Sequence, residues 1–174
     1  MTQKTSFLFL GILAGTMTAM ISGCGNNAAA NSAKNTSTTA AESVTESVAS
    51  VEKGGYLTIP ISDLSQTASF YKADLDGTEV EIVALKDSKG NLRTAFNACQ
   101  VCYSSGRGYY RQDGEYLVCQ NCGNSFTIDQ VGIASGGCNP WPILDSDRTV
   151  TDDEIQISYD VLKSTADELP NFFQ

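Results

Sequence analysis

Cysteine is the side chain that this sequence arranges for chemistry. Six are present: Cys24, Cys99, Cys102, Cys119, Cys122 and Cys138. Four of them form two C-x2-C pairs, Cys99-Gln-Val-Cys102 and Cys119-Gln-Asn-Cys122. Two residues between thiols let a tight turn aim both sulfurs at one ion while backbone amides face them, so two such pairs held side by side can converge four thiolates. Tetrahedral sulfur suits both zinc and iron. In an oxidising compartment the same pairs could instead close as disulfides, structural or redox-active. The spacing favours metal, because a thioredoxin-like dithiol goes with a βαβ pattern that the flanking sequence lacks. Cys138, inside Gly136-Gly137-Cys138-Asn139-Pro140, is a fifth thiol where a four-coordinate site needs four. It reads as a direct or alternative ligand, as a lid residue over the site, or as a small buried apolar group.

Histidine is absent. That removes the usual base of Ser and Cys triads, the imidazole ligands of copper and catalytic zinc, and any histidine pH switch. A conventional small-molecule active site is therefore not expected; an electron carrier or a binding module is.

The elements that must position the thiols read as short strands. Between the two pairs, residues 103–118 hold a hairpin in which Tyr109-Tyr110-Arg111-Gln112 returns through Asp113-Gly114 to Glu115-Tyr116-Leu117-Val118. Its arms connect Cys102 to Cys119. Upstream, Tyr56 to Ile61 opens the β pattern, with Pro60 at an edge or strand end. Ala68 to Ala73, Glu79 to Lys86 and Leu92 to Asn97 follow, joined by turns at Asp76-Gly77 and Lys89-Gly90-Asn91. Near the C-terminus Ile155, Ile157, Tyr159 and Val161 alternate with polar residues as a strand would, and residues 165–169 predict one helical turn before Pro170. The expected fold is a mostly β domain with little helix.

The chain of 174 residues begins with a single cation at Lys4, an apolar stretch from Phe7 to Ile21 and the small residues Ser22 and Gly23 before Cys24. This start resembles a bacterial lipoprotein signal with its lipobox, Ile21-Ser22-Gly23-Cys24. The resemblance implies cleavage before Cys24, acylation of Cys24 with palmitate-type chains, and a domain held at the extracytoplasmic face of the membrane. An ordinary secretory signal or an uncleaved N-terminal anchor would give the rest of the chain the same address. Residues 25–53 are rich in Ala, Ser, Thr and Asn and bury too little to offset their ordering entropy. The organisation read from sequence is thus a signal peptide at 1–23, a lipid-anchored flexible linker at 24–54 and a cysteine-rich domain at 55–174. About 120 residues suit one domain and exclude a multidomain enzyme. Lys plus Arg total 11 against 20 Asp plus Glu, and loss of Lys4 with the leader leaves a net charge of −10. Such a surface repels phosphate backbones and argues against a nucleic-acid partner.

Around the pairs, Tyr103, Tyr109, Tyr110, Tyr116 and Trp141 could shield a centre or relay electrons, or could serve as ordinary strand-face packing. Arg107 and Arg111 could offset thiolate charge or stand solvated. The acidic run from Asp145 to Glu154 lacks the spacing of a calcium loop and predicts a solvated turn ahead of the last strand.

The run Cys119-Gln-Asn-Cys122-Gly123-Asn-Ser-Phe126, followed by Gly132 and by the Gly136 to Ile143 segment, resembles the second half of a Rieske cluster-binding domain. Cysteines stand where both Rieske histidines would be, at Cys102 and Cys122, and thiolate in place of imidazole implies a lower potential. Phe96-Asn-Ala-Cys99-Gln-Val-Cys102-Tyr103-Ser-Ser-Gly106, Tyr116-Leu-Val-Cys119-Gln-Asn-Cys122 and Gly136-Gly137-Cys138-Asn139-Pro140 together resemble the FtrD-like family of iron-sulfur membrane proteins. That resemblance implies a small Rieske-like or rubredoxin-like β domain with two cysteine knuckles. Its cofactor would be an iron-sulfur cluster of unspecified type held from among Cys99, Cys102, Cys119, Cys122 and Cys138. It also implies electron transfer in bacterial iron uptake, alongside a permease and a periplasmic-type iron-binding protein. Two other readings stay open: a module in which the two pairs hold structural zinc and the surface docks a partner or delivers metal, and a thiol-disulfide protein.

Overall fold

The computed structural model describes residues 47–133, 136–169 and 172. The chain divides at residues 42 and 43, and all described residues belong to the second unit, 43–174. In chain order its strands are β1 (Val48–Ser50), β2 (Tyr56–Pro60), β3 (Ser69–Leu75), β4 (Thr78–Lys86), β5 (Leu92–Cys99), β6 (Tyr110–Asp113), β7 (Tyr116–Cys119), β8 (Ser125–Thr127), β9 (Pro140–Ile143), β10 (Thr149–Val150) and β11 (Glu154–Ser158). One α-helix, α1 (Tyr159–Glu168), follows. The fold is mostly β, as its sequence predicts.

The strands form a five-stranded sheet in the order β1-β3-β4-β5-β9 and two three-stranded sheets, β10-β11-β2 and β6-β7-β8. The strand β1 runs parallel to β3 and every other pairing is antiparallel. It falls inside the 24–54 stretch read from sequence as linker, and the neighbouring Val51 is buried, so the folded unit reaches back to residue 48.

The central strands of the large sheet, β4 and β5, are buried on both faces. Along β4, Val80, Ile82 and Ala84 enter one apolar cluster with β2, β11 and α1, while Val83 and Leu85 enter a second cluster with Tyr110, Leu117, Ile128 and Val131. Strand periodicity of two explains the division. It also explains why Ile82-Val83-Ala84-Leu85 is continuously apolar, as expected of a strand covered on both sides. Full burial of a residue such as Ile82 or Leu85 stabilises by about 1.5–3 kcal/mol. On β5 the same alternation puts Phe96 and Ala98 in the first cluster and Ala95 and Cys99 in the second. Parity along one strand therefore delivers Cys99 to the face covered by the β6–β7 hairpin.

The turns form as their residues require. Asp76 and Gly77 both have positive φ, 55° and 89°, which closes β3 onto β4 in two residues. Between β4 and β5 the buried Asp87 carboxylate accepts from the backbone N–H of Lys89 and Asn91, from Asn91 Nδ2 and from the Arg93 guanidinium.

The C-terminal segment departs from the expected strand. The alternation of Ile155 and Ile157 ends at Ser158, whose Oγ accepts from Val161 N and caps a ten-residue helix. Tyr159, Leu162 and Ala166 then bury one helical face. Tyr159 fits both periodicities, since it continues the alternation and opens the i, i+3, i+7 stripe, and the serine cap decides between them. The strand β9 is not among the strands expected from sequence; it pairs with β5, and a register shift lies between Phe96 and Cys99. Such an irregularity bends the strand end and re-aims the chain, here into the first cysteine pair.

Candidate metal centre

The first pair grows out of the end of β5. Cys99 is fully buried, its N–H donates to Gly108 O at 2.5 Å, and its sulfur accepts from the amides of Val101 and Cys102. A short turn at Tyr103–Ser105 then reverses the chain, with Ser105 Oγ donating to Cys102 O at 2.7 Å. The second pair grows out of β7. Cys119 sits opposite Tyr110 in the hairpin register, and its N–H donates to Asn124 O at 2.9 Å. Gly123 N donates back to Cys119 O at 2.9 Å, and the positive φ of Gly123, 74°, lets that turn close. The Cys119 sulfur accepts from the amides of Asn121 and Cys122, and the Cys122 sulfur from the amide of Asn124. Both pairs are therefore knuckles, with amides aimed at sulfur as the spacing predicts.

All five cysteines of the domain come together as free thiols. The sulfurs of Cys99, Cys102 and Cys119 lie within 4.8 Å of one another, and so do those of Cys102, Cys122 and Cys138, with Cys102 common to both groups. The first three are buried, Cys138 is half-buried and Cys122 is exposed. A metal with bonds of about 2.3 Å to four sulfurs holds them about 3.8 Å apart, so within each group of three at most about 1 Å of closure separates the sulfurs from the spacing around a shared ion. Neither group includes a carboxylate. The donor set is entirely soft and fits iron-sulfur or zinc chemistry, not the hard cations that prefer oxygen.

The thiols differ in their electrostatics. Burial pushes Cys99 up, but the Tyr110 hydroxyl and the amides of Val101 and Cys102 outweigh it and leave its pKa lowered. Burial carries Cys119 up to about 12 and Cys138 to about 11. At Cys102 the Asn121 side chain favours the thiolate, yet burial and the neighbouring Cys122 and Cys99 leave the pKa raised. The Asn124 amide, ahead of burial, leaves Cys122 lowered. Cations contribute little: Arg107 and Arg111 are exposed, the first reaching Asn121 Oδ1 at 3.4 Å and the second lying over the Tyr109 ring.

The Cys138 loop is fastened from two sides. Gln100 N donates to Asn139 O at 3.3 Å, and Gly136 N donates to Gln100 Oε1 at 2.8 Å. The Tyr110 hydroxyl donates to Cys138 O and is also bonded to the Cys99 sulfur. Tyr110 is fully buried and meets Phe126 edge-on at 6.1 Å. Gln100 Nε2 is buried without a partner among the described residues. A buried donor of this kind, held between the first knuckle and the Cys138 loop, is suited to an added acceptor.

Of the aromatics noted in sequence, Tyr110 alone packs in the buried cluster that contains cysteines; Tyr103 and Trp141 pack against the other cluster, and Tyr116 is exposed. The acidic run at 145–154 forms a short 3-10 turn, β10 and a bend ahead of β11. Cys24 lies outside the described residues. Asn124, Gln100 and Gly108 carry the site without having stood out in sequence. Gly108 is required by space, since a Cβ there would lie 2.5 Å from the carbonyl carbon of Cys102.

Fold and site define a small β domain built around a soft cluster of five thiols. Residues 61–168, which hold all five, match the family model for membrane iron-sulfur containing proteins of the FtrD-like type, and the chain belongs to that family. Neither the curated proteins nor the solved structures contain a match to it. Among the described residues no helix is long and apolar enough to cross a membrane.

Proposed function

We propose that this chain is a lipid-anchored iron-sulfur protein on the extracytoplasmic face of a bacterial membrane, and that it transfers electrons in an iron-uptake system. The observation that carries the reading is the all-thiol site, in which five sulfurs converge with knuckle amides on them and no carboxylate among them. Family membership supports the iron-sulfur assignment. Cys99, Cys102, Cys119 and Cys122 hold the centre, with Cys138 a further candidate ligand at its edge.

Bound there, an iron-sulfur cluster would supply one-electron chemistry, at a potential lower than that of an imidazole-ligated Rieske centre. The chain's own residues do the rest. Knuckle amides stabilise thiolate charge, and the Tyr110 hydroxyl steadies Cys99. Leu117, Ile128 and Val131 keep water from the inner thiols. Cys122, exposed, marks the edge nearest to a partner. Acylated Cys24 and the linker after it tether the domain within reach of a permease and a periplasmic-type iron-binding protein.

The test is full-length protein purified anaerobically from membranes, analysed for iron, zinc and acid-labile sulfide and by EPR after reduction. Iron with sulfide and a signal on reduction is the expected result. Zinc without sulfide would sink the electron-transfer reading in favour of a structural zinc module. Release of a Cys24→Ala variant from the membrane fraction tests the anchor.

A further inference from the structure

The five thiols are unequal in a way that four-ligand counting does not anticipate. Cys99, Cys102 and Cys119 form the buried group, whereas Cys122 and Cys138 lie toward solvent. Each of these outer sulfurs is within 4.8 Å of Cys102 and of the other. Cys102 is thus the sulfur at which the buried three meet the outer pair, and a four-thiolate centre that includes the buried three has two sulfurs adjoining it at Cys102 for its last position. Asn124 serves both, its backbone N–H donating to the Cys122 sulfur and its side chain bonding the Cys138 sulfur.

The two outer thiols are also held independently. Cys122 belongs to the second knuckle, closed by Gly123 N on Cys119 O. Cys138 belongs to a different loop, fixed by the Tyr110 hydroxyl on its carbonyl and by Gln100 on Gly136 and Asn139. Removing one thiol leaves the backbone bonds that hold the other's loop in place. Gly136 and Gly137 have positive φ, 98° and 66°, and nothing within 4 Å of where a Cβ would stand, so the chain leading into Cys138 is uncrowded at these two positions. Cys122 also bonds Cys119, which makes it the resident ligand and Cys138 the reserve.

Resting on the reading of this site as a metal centre, we propose that Cys122 and Cys138 are interchangeable as its fourth ligand while Cys99, Cys102 and Cys119 are obligatory. In the exchange the metal–sulfur bond to Cys122 breaks as that to Cys138 forms. The incoming thiol releases its proton to water and the outgoing thiolate takes one up, so neither charge nor oxidation state changes. The exposed edge of the centre can thereby be disturbed without loss of the metal.

The experiment uses the full chain purified anaerobically from membranes, as the parent and as Cys122→Ala, Cys138→Ala, the double variant and Cys119→Ala. Iron, sulfide, the visible spectrum and far-UV circular dichroism are read for each. Both outer single variants are expected to keep the parent's iron and sulfide per chain, with Cys122→Ala keeping all-thiolate charge-transfer bands. The double variant and Cys119→Ala are expected to lose the centre. An outer single variant that loses metal as fully as Cys119→Ala, with its far-UV spectrum intact, overturns the proposal, and so does a double variant that keeps it. Should an alanine variant lose its fold, the corresponding valine variant, which restores bulk without a donor atom, is read in the same way. A parent that carries zinc without sulfide refutes electron transfer alone, and the interchange is then judged on zinc content in the same variants. A parent without metal overturns both readings.

Discussion

Gly108→Ala tests whether the first knuckle is held by backbone contact. The added Cβ would lie 2.5 Å from the carbonyl carbon of Cys102, 2.6 Å from its oxygen and 2.7 Å from Tyr103 N. Ordinary contact begins near 3.4 Å, so about 0.9 Å must be found, and each obstructing atom is backbone rather than the end of a flexible side chain. Overpacking of this kind costs about 1–3 kcal/mol. At roughly 4 °C per kcal/mol for a domain of this size, the midpoint of thermal unfolding should fall by roughly 4–12 °C. The same movement displaces Cys102, the thiol common to both sulfur groups. Metal sites tolerate about 0.2 Å in ligand distance, so binding should weaken by about 10–100-fold. Zinc titrated against a chromophoric chelator measures this without a cluster. Gly132→Ala is the control: its Cβ would lie 2.5 Å from Thr94 O at a φ of 67°, against strand backbone at Thr94 and Ile143 and not against either knuckle. It should lower the midpoint and leave metal affinity alone. A Gly108→Ala protein with the parent's midpoint and affinity would refute the steric argument.

Tyr110→Phe removes the hydroxyl bonded to the Cys99 sulfur and to Cys138 O; it should lower the reduction potential of the loaded protein, since a donor to sulfur favours the more electron-rich state, and protein-film voltammetry reads the shift. Cys119 and Cys138, pushed up to about 12 and about 11, hold their protons at neutral pH, so metal uptake by the metal-free protein must release them. Apparent affinity should accordingly rise with pH from 6 to 8, and a flat profile would contradict it. The hydrogen bonds to Asp87 outweigh its burial and hold its carboxyl well below the usual range. Its contribution to stability is thus complete above the unfolded value of about 3.9 and is lost as pH falls through the lower folded value. Asp87→Asn should unfold more readily than the parent at pH 7, and the gap should narrow below pH 4 in parallel denaturant titrations.

Much of the site was legible because its determinants are local. A C-x2-C spacing defines a knuckle from four residues, and a hairpin closed by Asp113-Gly114 brings the second knuckle alongside the first whatever surrounds them. Turn chemistry at Asp76-Gly77 and Lys89-Gly90-Asn91 likewise set the strands β3, β4 and β5. The C-terminal helix was illegible for a definite reason: Tyr159 satisfies two periodicities, and a capping bond from Val161 N–H to Ser158 Oγ separates them. The strand β9 did not stand out because two of its four residues are prolines, yet an edge strand accepts them.

The sequence by itself determined that the chemistry is thiol chemistry, that four of the thiols sit on two knuckles, and that a mostly β scaffold holds them. Tertiary structure alone decided which sulfurs are neighbours. Cys138, sixteen residues beyond Cys122, lies beside Cys102 and Cys122 and outside the buried group because Gln100 and Tyr110 fasten its loop there. Tyr110 was likewise set apart from four other aromatics by strand parity, which turned its ring into the cluster containing Cys99 and Cys119. Such relations depend on contacts between residues distant in sequence, and no spacing rule encodes them.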